Sequence, residues 1–176
     1  MNYTELCTNI NNLPEPNFLM TENYNEFDTS SQFFLDSIRT ILENNNLHSG
    51  SYIDFFCGKG EVLKKIKSSF TSTEMLGINT IAYDTWSDDT IKFYNKDVSQ
   101  VLQLESYKFD VAIMFNIHES IWPSRPSNPK DSFITWCKNN AGYLLTNGRP
   151  KTKIQNMTLV DTISPRKQKY SINLYK

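Results

Sequence analysis

Residues 52–63 read Tyr-Ile-Asp-Phe-Phe-Cys-Gly-Lys-Gly-Glu-Val-Leu, and this stretch decides the fold. Tyr52 to Phe56 is short, apolar and aromatic, as a buried strand is. Cys57-Gly58-Lys59-Gly60 supplies a turn, after which Val62, Leu63, Ile66 and Phe70 recur at helical spacing. A strand, a glycine turn and a helix in that order let the backbone approach a ligand closely, with the helix's first N–H groups facing it. The same pattern also serves as a plain turn, so residues further out must decide.

Downstream, Met75-Leu76-Gly77-Ile78 reads as a second strand ending at Asn79, and Ile91 to Tyr94 as a third, closed by Asn95-Lys96-Asp97. The segment between them is short and ambiguous and holds Trp86 and the pair Asp88-Asp89. Phe109 to Phe115 is a near-continuous apolar run suited to burial on both faces, and it ends at Asn116. A loop from Asn116 to Lys130 carries three prolines and Trp122. Asp131 can cap a short helix with Phe133, Ile134, Trp136 and Cys137 inward. Tyr143 to Thr146 reads as a fifth strand ending in an Asn-Gly turn, and Thr158–Ile163 and Tyr170–Tyr175 as a terminal pair. In the last of these, Tyr170, Ile172 and Leu174 alternate with Ser171 and Asn173, the pattern of a half-buried strand.

Upstream, Phe34, Leu35, Ile38, Ile41 and Leu42 mark a helix, with Thr29-Ser-Ser-Gln32 as its capping box. Residues 1–28 are Asn-rich and broken by Pro14 and Pro16, and read as an irregular arm or lid anchored at Phe18, Leu19 and Tyr24. The sum is an α/β fold: a doubly wound, mostly parallel Rossmann-like sheet with helices on both faces and a C-terminal antiparallel hairpin, one domain over residues 29–176.

Composition narrows the class. No apolar run reaches the roughly 18 residues that a membrane helix needs, and Met1 to Glu5 does not begin a secretory signal. Three widely spaced cysteines, Cys7, Cys57 and Cys137, give neither a disulfide framework nor a Cys-x-x-Cys metal site. A cytoplasmic protein with no metal and no membrane contact is expected. The net charge of −1 hides an asymmetry. Residues 1–148 sum to −7, while 149–176 sum to +6, with Arg149, Lys151, Lys153, Arg166, Lys167, Lys169 and Lys176 against Asp161.

The ends of four parallel strands, at Gly58, Asn79, Asp97 and Asn116, would face one crevice, where open α/β sheets bind ligands. The dinucleotide fingerprint is incomplete, with Phe56 and Leu63 where small residues belong. A pyrophosphate therefore has a poor cradle, and an adenosine ligand without phosphates fits better.

These residues resemble the class I S-adenosylmethionine-dependent methyltransferases. Asp54, Phe56, Cys57, Gly58 and Gly60 align with that family's Asp-x-Gly-x-Gly-x-Gly turn, and Gly77-Ile78-Asn79 with its Gly-x-Asp. Asp97 aligns with the acid after strand three, and Phe109 to Phe115 with the strand before the substrate loop. The resemblance implies S-adenosylmethionine as cofactor, held by Asp54, Phe56, Cys57, Gly58, Gly60, Asn79, Asp97 and Asn116, with Asn79 on the ribose and Asp97 on the adenine amine. Two departures stand out. Phe56 replaces a glycine, as in the Asp-Pro-Phe-x-Gly-x-Gly motif of amino-methylating nucleic-acid enzymes, but their Asn/Asp-Pro-Pro-Tyr is here Asn116-Ile117-His118-Glu119. Asn79 replaces an acid, which weakens the ribose contact by about 1–2 kcal/mol.

Several roles stay open. His118 is a base or substrate orienter, or else a structural loop histidine; His48 favours a helix C-terminus and no more. Glu119 and Trp122 join His118 as substrate-side candidates, Trp122 equally as a buried loop anchor. Cys57 packs beneath the turn or is reactive, and Asp88-Asp89 reads as a turn rather than a metal site. Methyl transfer to a small molecule leads, ahead of nucleic-acid methylation through the basic segment 149–176 and of a non-catalytic module that binds cofactor or a partner protein. The rival reading of the basic tail is a sheet edge blunted by charge.

Overall fold

In a computed structural model the chain is described over residues 1–16, 31–72, 74–115, 129–148, 153–164 and 171–176. The strands are β1 (Tyr52–Phe55), β2 (Met75–Asn79), β3 (Ile91–Asn95), β4 (Phe109–Met114), β5 (Ala141–Gly148), β6 (Leu159–Ile163) and β7 (Ser171–Tyr175). The helices are α1 (Tyr3–Asn11), α2 (Gln32–Asn44), α3 (Glu61–Ser69), α4 (Val98–Val101) and α5 (Pro129–Asn140). The strands form one sheet in the order β3-β2-β1-β4-β5-β7-β6. Pairs β3-β2, β2-β1, β1-β4 and β4-β5 are parallel, whereas β7 runs antiparallel to both its neighbours.

Each face of the sheet has its own core. Ile53, Phe55, Leu76, Ile78, Ala112, Met114 and Leu144 face α1, α4 and α5. Tyr52, Met75, Val111, Ile113, Leu145, Ile172 and Leu174 face α2 and α3. Parallel strands need crossovers, usually helical, that cover both faces. Two crossovers here are abbreviated: β2 to β3 has a single 3₁₀ turn at Asp84–Trp86, and β3 to β4 has the four-residue α4.

The N-terminus fills part of the resulting gap. Residues 3–11, expected as part of an irregular arm, form a helix whose Leu6 and Ile10 are fully buried against the sheet. Asn2 and Glu5 make a reciprocal capping box at 2.9 Å each way. At the far end Lys96, itself buried, donates from Nζ to the carbonyls of Asn11 (3.2 Å) and Leu13 (2.5 Å), a cation on a helix C-terminus. The anchors Phe18, Leu19 and Tyr24 lie outside the described residues.

Three smaller expectations are also corrected. Ser31 caps α2, its Oγ accepting from Phe34 N at 3.2 Å, two residues past Thr29. Helix α5 starts at Pro129, so Asp131 lies inside its first turn, and Asn147-Gly148 continue β5 rather than turning. Strand β7 lies between β5 and β6 and is buried on both faces, with Tyr175 in one core and Ile172 and Leu174 in the other. Its buried polar oxygens are bonded within the sheet: Thr162 Oγ1 donates to Asn173 Oδ1 at 2.7 Å, and Ser171 Oγ donates to the carbonyl of Gly148 at 3.2 Å, while Asn173 Nδ2 is buried with no partner among the described residues.

Candidate functional site

Parallel pairing fixes which residues share an edge. Register sets Asp54 beside Gly77 on one side and Ile113 on the other, with Phe93 beside Gly77. The C-terminal ends of β1 to β4 therefore open on one side, and the sequence-derived positions 54–60, 79 and 97 lie together there. The order of strands reverses between β1 and β4, the switch point where such sheets leave a crevice. Asn116, His118, Glu119 and Trp122 lie outside the described residues, as do most cations of the basic tail.

The loop after β1 is built from left-handed residues. Phe56, Gly58 and Gly60 have φ of 57°, 54° and 82°. A Cβ at Gly58 would meet nothing within 4 Å, so this face of the loop is open. Phe56 holds the same left-handed backbone with a full side chain, which explains why glycine is the favoured residue there. Gly60 N donates to Cys57 O at 2.9 Å, closing the turn, and Gly60 caps α3.

Asp54 is the unusual group. It is 2% exposed, on the face otherwise occupied by Ile113 and Leu145. Among the described residues it has neither a hydrogen-bond donor nor an ion-pair partner. Burial pushes its carboxyl well above the usual range, and the charge of Glu61 pushes it further. The Cys57 thiol beside it is also pushed well up, by burial first and by Asp54 second. Its Sγ contacts the Gly58 carbonyl at 3.8 Å, so Cys57 packs within the loop as a neutral thiol.

The next two strand ends are partly engaged. Asn79 is buried and donates from Nδ2 to Ile81 O at 2.9 Å, leaving Oδ1 as its remaining acceptor. Asp97, also buried, caps α4 by accepting from Ser99 N at 2.8 Å. Asp88 forms a turn, bound by Lys67 Nζ at 2.8 Å and by the amides of Thr90 and Ile91. From the sequence, Trp86 stands only in an ambiguous segment and Phe93 only in a strand, and neither they nor Thr85 carry a functional role there. The aromatic content of the abbreviated crossover was the available signal.

No protein-family model and no curated protein sequence matches the chain. Solved structures do. The chain superposes on an RNA methyltransferase, provisionally so named, from Pyrococcus horikoshii with a TM-score of 0.62, at 11% identity, over 99% of this chain and 98% of that one. Methyltransferase yhhF of Escherichia coli, also provisionally named, gives 0.58 at 12% identity over 85% and 88%. Magnesium protoporphyrin IX methyltransferase of Synechocystis, crystallised with bound S-adenosylmethionine, gives 0.54 at 15% identity over 80% and 76%. The chain has the class I methyltransferase fold.

Proposed function

We propose that the chain binds S-adenosylmethionine at the ends of β1, β2 and β3 and transfers its methyl group to a small-molecule acceptor. The observation that carries this is Asp54: a desolvated carboxylate, next to a second acid, with no cation among the described residues to offset it. Such a group costs free energy until a cationic ligand meets it. S-adenosylmethionine carries an ammonium and a sulfonium, and the open face of Gly58 leaves room for a ligand beside the loop. The residues present fit the cofactor.

In this reading Asp54 accepts the ammonium, the loop amides face the carboxylate, Asn79 Oδ1 accepts from one ribose hydroxyl, and Asp97 lies toward the adenine amine. Phe56, Cys57 and Gly60 shape the loop, and Asn116, two residues past β4 in sequence, is the fourth cofactor candidate. When bound, the cofactor supplies an electrophilic methyl on a positively charged sulfur. The protein's share is alignment of the acceptor's lone pair with that methyl, which contributes much of the rate. His118 accepts the acceptor's proton where one must leave, with Glu119 and Trp122 beside the acceptor. Replacing His118 by Ala is expected to slow turnover while leaving cofactor affinity unchanged, and equal loss of both would reject the base role.

A second reading rests on a specific observation. Asn79 and Asp97 each give part of their hydrogen-bonding capacity to the chain itself, which suits a weak-binding, non-catalytic module working with a partner protein. Titration with S-adenosylhomocysteine separates the readings. Micromolar saturation supports the enzyme, and weak or absent binding at millimolar ligand supports the module. Methylation of nucleic acid through residues 149–176 is the remaining alternative.

A further inference from the structure

The abbreviated crossover between β2 and β3 does more than connect strands, because it reaches back to the glycine loop. Trp86 Nε1 donates to the carbonyl of Gly58 at 2.8 Å. Thr85 Oγ1 donates to the next carbonyl, that of Lys59, at 3.0 Å, and Lys64 Nζ donates to the carbonyl of Thr85. The Trp86 ring lies flat on Phe93, with centroids 5.3 Å apart and planes 6° apart. Phe93 in turn occupies the space that a Cβ at Gly60 or Gly77 would need, 2.6 Å from each. The crossover, the third strand and the loop are thereby one packed unit.

The consequence lies in the peptide planes. A loop with left-handed residues at 56, 58 and 60 has many accessible conformations, and its amides serve a ligand only if their planes are held. In a trans peptide the C=O and N–H point in opposite directions. Holding the Gly58 carbonyl from the Trp86 side therefore turns the Lys59 N–H away from Trp86. No backbone carbonyl among the described residues accepts that N–H.

We propose that Trp86, seconded by Thr85, is a positioning residue that fixes the glycine loop for the amino-acid end of the ligand. This rests on the reading of the loop as the cofactor site. The test is calorimetric titration of wild type, Trp86→Phe, Thr85→Val and Thr85→Ser with S-adenosylhomocysteine and with 5′-methylthioadenosine, which lacks the amino-acid end. Phe keeps the stacked ring without the donor, Val keeps the shape of Thr without the hydroxyl, and Ser keeps the hydroxyl.

Loss of one neutral hydrogen bond predicts about a fivefold rise in Kd for S-adenosylhomocysteine in Trp86→Phe and in Thr85→Val. Thr85→Ser is expected to retain wild-type affinity, and 5′-methylthioadenosine to bind all four proteins alike. Unchanged S-adenosylhomocysteine affinity in both Trp86→Phe and Thr85→Val overturns the proposal. So does equal weakening toward both ligands, which marks a merely structural role. Thermal melting of the unliganded variants identifies misfolding, against which Thr85→Val is the milder change. A wild type that fails to bind S-adenosylhomocysteine contradicts the functional reading itself, and the proposal with it. Binding by wild type with unaltered variants contradicts the positioning role alone.

Discussion

Asp54 ties stability to function at a single atom group. Folding raises its pKa above the unfolded value, so the folded state holds the proton more tightly than the unfolded one. The stability this supplies is full below the ordinary carboxylate range and drains away as pH rises toward the folded value. Asp54→Asn is therefore expected to raise the melting temperature at pH 8 and to leave it nearly unchanged at pH 4, while weakening S-adenosylhomocysteine binding tenfold or more by loss of a charge-assisted contact. Thermal melts at both pH values check the first part and calorimetry the second. Phe56 makes a separate case. Its left-handed φ of 57° costs a residue bearing a Cβ about 1–2 kcal/mol, a cost glycine escapes. Its ring packs against the core on the α5 side. Phe56→Ala is expected to be more destabilising than Phe56→Gly by about 1 kcal/mol in urea denaturation, the reverse of the order on an ordinary extended or helical backbone.

Among the elements, strands were the most legible in the sequence, because a strand buried on both faces writes itself as a run of apolar residues. Tyr52–Phe55, Met75–Asn79 and Phe109–Met114 all follow such runs. Helix α1 was missed although its signals were local: Asn2 and Glu5 stand at capping-box spacing, and Tyr3, Leu6, Cys7 and Ile10 fall at i, i+3, i+4 and i+7. The Asn and Thr residues between them, and the prolines after them, masked the stripe. The place of β7 in the sheet was not legible. Ser171 and Asn173 look like solvent-facing positions, and only the strand order reveals that they are buried and bonded to β5 and β6. Because α1 is part of the core, Leu6→Ala is expected to cost about 2–5 kcal/mol. Lys96→Met, which keeps the stem and loses the donors, is expected to cost about 1.5–3 kcal/mol. Chemical denaturation measures both, and changes below about 0.5 kcal/mol would return α1 to the status of a loose arm.

Over the whole molecule, sheet order separates two regions that the net charge of −1 blends together. The candidate cofactor site lies at β1, β2 and β3, whereas the basic segment 149–176 contains β6 and β7 at the opposite edge of the sheet. Replacing Arg166, Lys167 and Lys169 together by Gln is therefore expected to leave S-adenosylhomocysteine affinity within twofold of wild type. In the nucleic-acid reading the same variant loses oligonucleotide binding, and wild-type oligonucleotide affinity falls steeply between about 50 and 200 mM salt. That Asp54 to Gly60, Asn79 and Asp97 share one end of the sheet was legible because they sit at strand ends in sequence order. The crossover clamp was not, since a tryptophan in a short connector has no periodicity to place it.

Asp54 is expected to meet the ammonium of an adenosyl ligand. Calorimetric titration of the wild-type chain and Asp54→Asn with S-adenosylhomocysteine, in buffers of different ionisation enthalpy, addresses it directly. Saturation at one ligand per chain is expected, with protons released at pH values below the raised pKa of Asp54, because the ligand's ammonium favours the ionised carboxylate. In Asp54→Asn that release is expected to vanish and the affinity to fall. No saturation at millimolar ligand, or an Asp54→Asn variant that binds as tightly as wild type, would contradict it.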